Sequence, residues 1–276
     1  MGGPNIDARR HVLYGHALFI LEVTVLDLPS FFHQHPSGAL ALSGGVDSAL
    51  LAWAAGRWGE NWRAYFVHTA FQPAHELADA RTLANFCGLP LTVLEVDVLA
   101  DPQVAANPPR RCYYCKRTLF AAIAAAAKQD GLSLLADGTN ASDDDGDRPG
   151  MAALAELGVC SPLRQCGLTK SDVRRLSREA GLPTWDKPAY ACLATRVPAG
   201  TPLTGELLEK VERGEALLTE LGFRDFRLRL RGAGALLQVT DAQLPLALDR
   251  REEIMERLSP LFAEVGLDLR ARAPSQ

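Results

Sequence analysis

The chain has no run of about 18 uncharged apolar residues, the least a helix needs to cross a bilayer. Its most membrane-like stretch, VLYGHALFILEVTVLDL at 12–28, is interrupted by His16, Glu22 and Asp27. A basic segment leading to a small-residue cleavage site is also missing, so no secretory signal is read there. A cytoplasmic protein with no membrane partner is expected. Excess positive charge is absent too. A net charge of -4 over 276 residues argues against broad nonspecific nucleic-acid binding, while leaving room for a local basic patch. Cysteines number only six. In a reducing compartment they read as thiols or metal ligands rather than a disulfide frame. There is no internal repeat.

What remains is an ordinary globular composition, 47% apolar and 22% charged, long enough for one or two domains. From residue 38 strand and helix alternate. GALALS is a buried strand and DSALLAWAAGRWG a helix ended by Gly59. RAYFVHTA is a second strand, and AHELADARTLANFCG a helix with Gly88 at its end. LTVLEVDV, the helix KRTLFAAIAAAAKQDG and the strand LSLLADGTN follow. Such alternation predicts an α/β fold, a parallel sheet flanked by helices. Residues 138–150 read as a polar loop past a strand end, where open α/β sheets bind ligands. Thr169 and Asp172 form a helix-start pair. Residues 183–202, with four prolines, read as an ordered loop or linker. The tail changes character: helix, the alternating strand DFRLRLRG, strand ALLQVT, helix PLALDRREEIMERLSPLFAEVG and short strand LDLRA. This divides the chain into an N-terminal segment of open role at 1–37, an α/β domain at 38–200 and a smaller α+β domain at 201–276.

The sharpest local feature is ALSGGVDSALLAW at 41–53. Gly44 and Gly45 permit backbone closed to residues with a Cβ. Amides there and at the helix start can converge on an anion. Ser43 and Ser48 can add hydroxyls, and Asp47 can hold a metal beside phosphates or cap the helix. No lysine follows in the Gly-x-x-x-x-Gly-Lys-Ser/Thr pattern, and Gly-x-Gly-x-x-Gly is lacking. The plain alternative is a tight strand–helix turn with a Ser/Asp cap. SGGVDS resembles the pyrophosphate loop of the N-type ATP pyrophosphatases, which include GMP synthetases, NAD synthetases and tRNA-thiolating enzymes. These cleave ATP between its α and β phosphates and adenylate an oxygen. The resemblance implies that Ser43, Gly44, Gly45, Val46, Asp47 and Ser48 line the pyrophosphate, with Mg2+ alongside. Asp47 and Asp137 are the metal-side candidates, although Asp137 is equally a strand-end turn residue.

Cys112 and Cys115 form a C-x-x-C at a helix start in RRCYYCKRTLF. The helix terminus, Arg111 and Lys116 are all expected to lower their thiol pKa values. Cys192 lies in YACLATR, again beside an arginine. Three thiols fall short of a structural zinc site, which takes four ligands, but would suit a 4Fe–4S cluster with one open iron. A helix-start pair without metal is the plain alternative. Cys87, Cys160 and Cys166 have no such context and are assigned nothing.

Several segments together narrow the resemblance: NPPRRCYYCKRTLF, DGTNASDD, RPGM, SPL, GLTK, LPTWDKPAYACLATR and GTPLT, in order over residues 38–232. They look like the LarE family, which supplies sulfur for the nickel-pincer nucleotide cofactor of lactate racemase. The resemblance implies ATP-dependent adenylation of a carboxylate of pyridinium-3,5-dicarboxylate mononucleotide, then thiolation of the acyl carbon. In one class a single cysteine, matching Cys192, gives up its own sulfur and is left as dehydroalanine. In another, three cysteines, matching Cys112, Cys115 and Cys192, hold a 4Fe–4S cluster carrying added sulfide. All three are present, which favours the cluster class. The resemblance further implies roles for Asp137, Thr139 and Lys187 beside the nucleotide, and for Arg196 in pairing with the substrate phosphate or carboxylate. Arg227 and Arg229 become phosphate-binding candidates, although two arginines on one strand face are more simply a solvated side. Glu215 matches an acidic position near the substrate, and Trp185 matches the family's WDKP. A homo-oligomer is implied as well.

The chain departs from the family at three places. The first 26 residues lack its charged leading helix. Arg231-Gly232, then Leu236 and Gln238, stand where the family has His-Gly and an arginine and glutamate. The run Asp143–Asp145 is heavily acidic and reads as a solvated loop. Another ATP pyrophosphatase, such as a tRNA thiolase or an amide-forming synthetase, is the alternative reading, and a nucleotide- or iron–sulfur-binding sensor without turnover is a third. The tail is not strongly basic, as a tRNA enzyme would need, and the length holds no glutaminase-like domain.

Overall fold

The computed structural model describes residues 27–143 and 149–274. The membrane-like stretch at 12–28 lies almost wholly outside them, as do Asp144 and Asp145 of the acidic run. In chain order the first elements are α1 (Leu28–Gln34), β1 (Ser37–Ala41), α2 (Val46–Trp58), β2 (Asn61–His68), α3 (Ala74–Cys87) and β3 (Leu91–Glu95). Then come α4 (Pro102–Ala105), α5 (Arg111–Gln129), β4 (Leu135–Ala136), α6 (Pro149–Glu156), α7 (Pro162–Gln165) and α8 (Lys170–Glu179). The last part holds α9 (Gly205–Glu220), β5 (Arg227–Arg231), β6 (Gly234–Gln238), α10 (Leu244–Asp249), α11 (Arg251–Leu258) and β7 (Val265–Leu267).

The expected parallel α/β sheet is present, with strand order β3-β2-β1-β4. The chain leaves β1 for β2 on one side, while β4 joins β1 on the other. The crevice at the carboxyl end of β1 is therefore a topological switch point, where ligands collect in this architecture. Helix α2 starts at that crevice. It is buried on nearly all sides through Ala49, Leu50, Leu51, Ala52, Ala54 and Ala55, which fixes the glycine turn on a rigid core element. Gly59 ends α2, and Gly88 ends α3 in the left-handed conformation at φ +67°. Thr169 and Asp172 make a full capping box on α8.

The antiparallel pair β5–β6, with β7 parallel to β6, forms the second sheet. Its core is not separate from the first half. Phe71, Val98 and Val104 join Leu208, Val211, Leu228 and Phe262 in one buried cluster. Helix α1 belongs to the α/β unit, because Leu28, Phe31 and Phe32 pack in its core with Leu50 and Trp62. That unit thus begins before residue 38.

Three elements differ from the expectation. The fourth strand is only Leu135–Ala136, because the chain turns at once to bring Gly138 against α2. The long tail helix bends at Arg250 (φ -99°, ψ 17°), giving α10 and α11. The bend re-aims the apolar positions, so that Ala247 is buried from α10 and Ile254 and Leu258 from α11. The last strand is Val265–Leu267 rather than LDLRA. In the proline-rich loop the regular piece is a 3-10 turn, Leu193–Arg196. No helix among the described residues is long and apolar enough to cross a membrane.

Candidate active site

The turn after β1 is built to leave amides free. Gly44 sits at φ +74°, a region costly for residues with a Cβ. Gly45 caps α2 with extended backbone, and no side chain among the described residues caps that end. The Ser48 hydroxyl donates to the Gly45 carbonyl at 3.2 Å and accepts from the Ser43 amide at 3.2 Å; the two serine hydroxyls are 3.1 Å apart. These bonds hold the loop while the amides of the helix start stay available to an anion.

The end of β4 presses on that loop. A Cβ on Gly138 would lie 2.8 Å from the Ser48 nitrogen, so only glycine allows the approach. Asp137 accepts from Thr139 Oγ1 at 2.5 Å and from Ser161 Oγ at 2.7 Å. Both its oxygens are thus engaged in bracing the strand end. Asp47 accepts from Asn140 Nδ2 at 3.1 Å and from Lys170 Nζ at 2.6 Å. Lys187 Nζ donates to the Gly44 carbonyl at 3.2 Å and to Asp79 at 2.9 Å. Val46 is buried in the core behind the loop. Trp185 is partly exposed under the Arg178 guanidinium, 5.1 Å away.

The three thiols gather at the start of α5. Arg111 Nη2 donates to Cys112 Sγ at 3.6 Å and to Cys192 Sγ at 3.8 Å. Burial, not the helix terminus or the nearby cations, dominates two of them. It pushes the Cys115 thiol up to about 12 and raises Cys192 against the pull of Arg111. The expected lowering is thereby reversed at these two sites, since desolvation penalises the charged form more than the neighbours favour it. Their donor chemistry suits an iron–sulfur cluster, but their spacing does not. Among the described residues no group of three His, Cys, Asp or Glu side chains stands at metal-holding distances. Cys112 and Cys192 share a guanidinium instead.

The loop that carries Cys192 is held through its carbonyls. Arg196 Nη1 donates to Ala191 O at 2.7 Å and Cys192 O at 3.3 Å. Arg227 Nη2 donates to Ala189 O at 2.7 Å, and Arg229 Nη1 to Thr195 O at 2.8 Å. Arg227 is buried rather than solvated, and burial, with Arg196 and Arg272 nearby, lowers its pKa to about 10. Arg229 is exposed and also donates to Gln238 at 2.6 Å. Glu215 is the hub beneath. It accepts from Tyr190 OH (2.5 Å), Arg196 Nε (2.7 Å), Arg196 Nη2 (3.0 Å) and Leu228 N (3.0 Å). Four donors fill the acceptor capacity of a carboxylate. In this arrangement Arg196 and Glu215 bond each other and brace the loop.

One cavity of about 670 Å³ lies between the glycine turn and α5. Ser43, Asp47, Ser48, Asp137, Thr139 and Cys112 all line it, with Leu119, Phe120, Ile123 and Met151 forming an apolar wall. Three pyrophosphate-loop candidates, Ser43, Asp47 and Ser48, and one thiol therefore share a space. Four contributors had no role assigned from sequence. Lys170 ends GLTK, and nothing in that string says its ammonium reaches Asp47. Glu76 lines the cavity, with burial, opposed by Lys187, raising its pKa to about 7; it reads as an ordinary helix glutamate. Tyr190 and Asn107 are defined only by contacts distant in sequence.

No family model matches the chain. It is 36% identical over 229 residues to an uncharacterized protein of Synechocystis sp., covering 82% of this chain and 84% of that one. It is 31% identical over 235 residues to the pyridinium-3,5-bisthiocarboxylic acid mononucleotide synthase of Lactiplantibacillus plantarum, covering 83% and 84%. A further likeness, 29% identity over 217 residues, is to the tRNA-specific 2-thiouridylase of Azorhizobium caulinodans, covering 64% of this chain and 55% of that protein.

Proposed function

The chain belongs to the LarE family, that of the pyridinium-3,5-bisthiocarboxylic acid mononucleotide synthase, within the PP-loop superfamily; from that premise we propose that it is an ATP-dependent sulfur transferase. Its acceptor is a carboxylate of pyridinium-3,5-dicarboxylate mononucleotide, and its product the thiocarboxylate. The observation that carries this reading is the single cavity lined by both the 43–48 turn and Cys112.

The chemistry follows from what the residues offer. A carboxylate oxygen is a poor leaving group, and adenylation converts it to a good one. Amides at the α2 start and the Ser43 and Ser48 hydroxyls receive the pyrophosphate. Lys170 and Lys187 bring positive charge to the mouth of the loop. The Asp47 carboxylate, which accepts from Lys170 Nζ at 2.6 Å, would hold a magnesium ion that, when bound, would neutralise the polyphosphate. Asp137 and Thr139 hold the strand end against α2. Arg227 and Arg229 supply the cationic side that an acidic nucleotide needs, while fixing the Cys192 loop. The sulfur leaves from the Cys112–Cys115–Cys192 side of the site. The convergence of three thiols favours an iron–sulfur carrier over sacrifice of Cys192. In the present spacing the three thiols stand outside metal-holding distances of one another. The chain is further read as cytoplasmic and homo-oligomeric; exposed Leu248 and Met255 on α10 and α11 support an assembly face.

The test is direct. Anaerobically purified protein, ATP, Mg2+ and the dicarboxylate mononucleotide should give pyrophosphate and a thiocarboxylate detectable by mass spectrometry. Asp47→Ala should abolish both. Undiminished product from that variant, or thiolation of tRNA in place of the mononucleotide, would overturn the proposal.

A further inference from the structure

Glu76 lies in the first turn of α3, half-buried, and lines the main cavity together with Ser43, Asp47 and Tyr190. That turn abuts the glycine turn: a Cβ on Gly44 would lie 4.0 Å from the Glu76 carbonyl oxygen. Among the described residues no hydrogen bond or ion pair reaches the Glu76 carboxyl, and the charged groups facing it are engaged elsewhere. On its own helix, Asp79 is paired with Lys187 at 2.9 Å. Lys187, from the loop after α8, also donates to the Gly44 carbonyl at 3.2 Å. Arg196 spends Nε and Nη2 on Glu215, at 2.7 and 3.0 Å, and Nη1 on the Ala191 and Cys192 carbonyls. Tyr190 spends its hydroxyl proton on Glu215 at 2.5 Å. From α2, Asp47 is held by Lys170 at 2.6 Å. Burial therefore prevails at Glu76. It raises the pKa to about 7, opposed by Lys187 and Arg196 and assisted by Asp79.

An unbonded acid in this position costs stability wherever it ionises, and a glutamine of the same shape would not. Protonated, the same carboxyl is a hydrogen-bond donor. The glycine turn beside it is built to receive anionic groups, so a donor fits there and a carboxylate does not. Carboxylic acids kept neutral by burial serve active sites in this way, and raised acids collect at functional positions. We propose that Glu76 is a substrate-binding group whose carboxylic O–H donates to an anionic oxygen of the bound complex, an acceptor carboxylate or a nucleotide phosphate. The identity of these ligands rests on the sulfur-transfer reading, whereas the donor role rests on the cavity. No covalent bond is made or broken. Above about pH 7, binding draws a proton from solvent onto Glu76.

Calorimetry of the full chain reads that proton. ATP with Mg2+ and, separately, pyridinium-3,5-dicarboxylate mononucleotide are titrated at about pH 8 in buffers of different ionisation heat. With a pKa of about 7, the wild type is roughly nine-tenths ionised there and should take up roughly 0.9 proton per ligand bound. Glu76→Gln, a permanent donor, should take up none beyond the ligand's own. Between about pH 6 and about pH 8 the wild-type affinity should fall about tenfold relative to Glu76→Gln. Titration of the ligands' own phosphates is common to both proteins and drops out. Glu76→Leu, with no donor, should bind about tenfold more weakly than Glu76→Gln at either pH; it also supplies the reference should Glu76→Gln fail to fold. Uptake with ATP alone assigns the phosphate, uptake with the mononucleotide alone assigns the carboxylate, and either supports the site. Equal proton uptake and parallel pH profiles in the wild type and Glu76→Gln, for both ligands, would overturn it. So would unchanged affinity in Glu76→Leu, or a wild type that binds neither ligand. A wild type that shows the uptake yet transfers no sulfur would instead remove the proposed function and leave the donor role standing.

Discussion

Glu215→Ala tests whether that carboxylate is chiefly a structural hub. The Arg196 and Glu215 side chains are 0% and 7% exposed and meet at 2.7 Å. Removing the carboxylate strands a fully buried guanidinium, the Leu228 amide and the Tyr190 hydroxyl together. Breaking one side of a buried pair costs about 3–5 kcal/mol. The two lost neutral bonds lie in the same network and do not simply add. The expected loss is therefore about 3–5 kcal/mol, or a fall in Tm of roughly 6–20 °C at 2–4 °C per kcal/mol. Urea unfolding followed by circular dichroism should show a lower midpoint with unchanged slope. The double variant Arg196→Met, Glu215→Leu removes both charges and should recover part of the loss. About 1–3 kcal/mol should remain from the unpaired Leu228 amide and phenol. If Glu215→Ala costs less than about 1 kcal/mol, or the double variant is no better than the single, the hub reading fails. Glu215 would then be free to serve a ligand.

Asp47→Asn should keep the fold and the Asn140 contact but cut pyrophosphate release at least about a hundredfold, the scale of losing a key electrostatic group; a phosphate-release assay reads this. Lys170→Met should leave an unneutralised Asp47 at the loop mouth and weaken ATP binding by about tenfold, near 1.4 kcal/mol, as measured by calorimetry. Glu76 has a pKa raised by burial to about 7, so the folded state holds its proton more tightly than the unfolded state. Stability from this group is full below about 4.5 and is lost as pH rises through about 7. Glu76→Gln should therefore gain stability over wild type above pH 7, with the gap closing toward pH 4.5 in urea titrations. Anaerobic iron analysis decides the sulfur carrier: iron bound by the wild type and lost in Cys112→Ser, Cys115→Ser and Cys192→Ser would support a cluster, whereas iron-free wild type would remove it.

What the sequence makes legible is what local rules govern. Gly59, Gly88 and the Thr169–Asp172 pair end or start helices by backbone and capping chemistry that acts within a few residues. The strand–helix alternation places the glycine turn at the edge of a parallel sheet. The misses are long-range. LSLLADGTN has apolar content for a longer strand, but Gly138 must meet Ser48, and that contact halts it. FRLRLR alternates as a solvated strand would, yet Arg227 turns back to the carbonyls of neighbouring Phe226 and of Ala189, 38 positions away. Cys115 and Cys192 sit beside cations in sequence, which suggests acidic thiols, but burial outweighs those charges and is invisible until the two halves pack. Lys170, Tyr190 and Asn107 acquire meaning only from partners that sequence order separates.

The grip on residues 189–195 runs through main-chain oxygens, which every amino acid presents alike. The side chain at position 192 can therefore be exchanged without slackening these contacts, whereas Tyr190 and Thr195 are held through their own hydroxyls as well. An engineer could install other reactive groups at position 192, with the backbone still delivered to the same point in space.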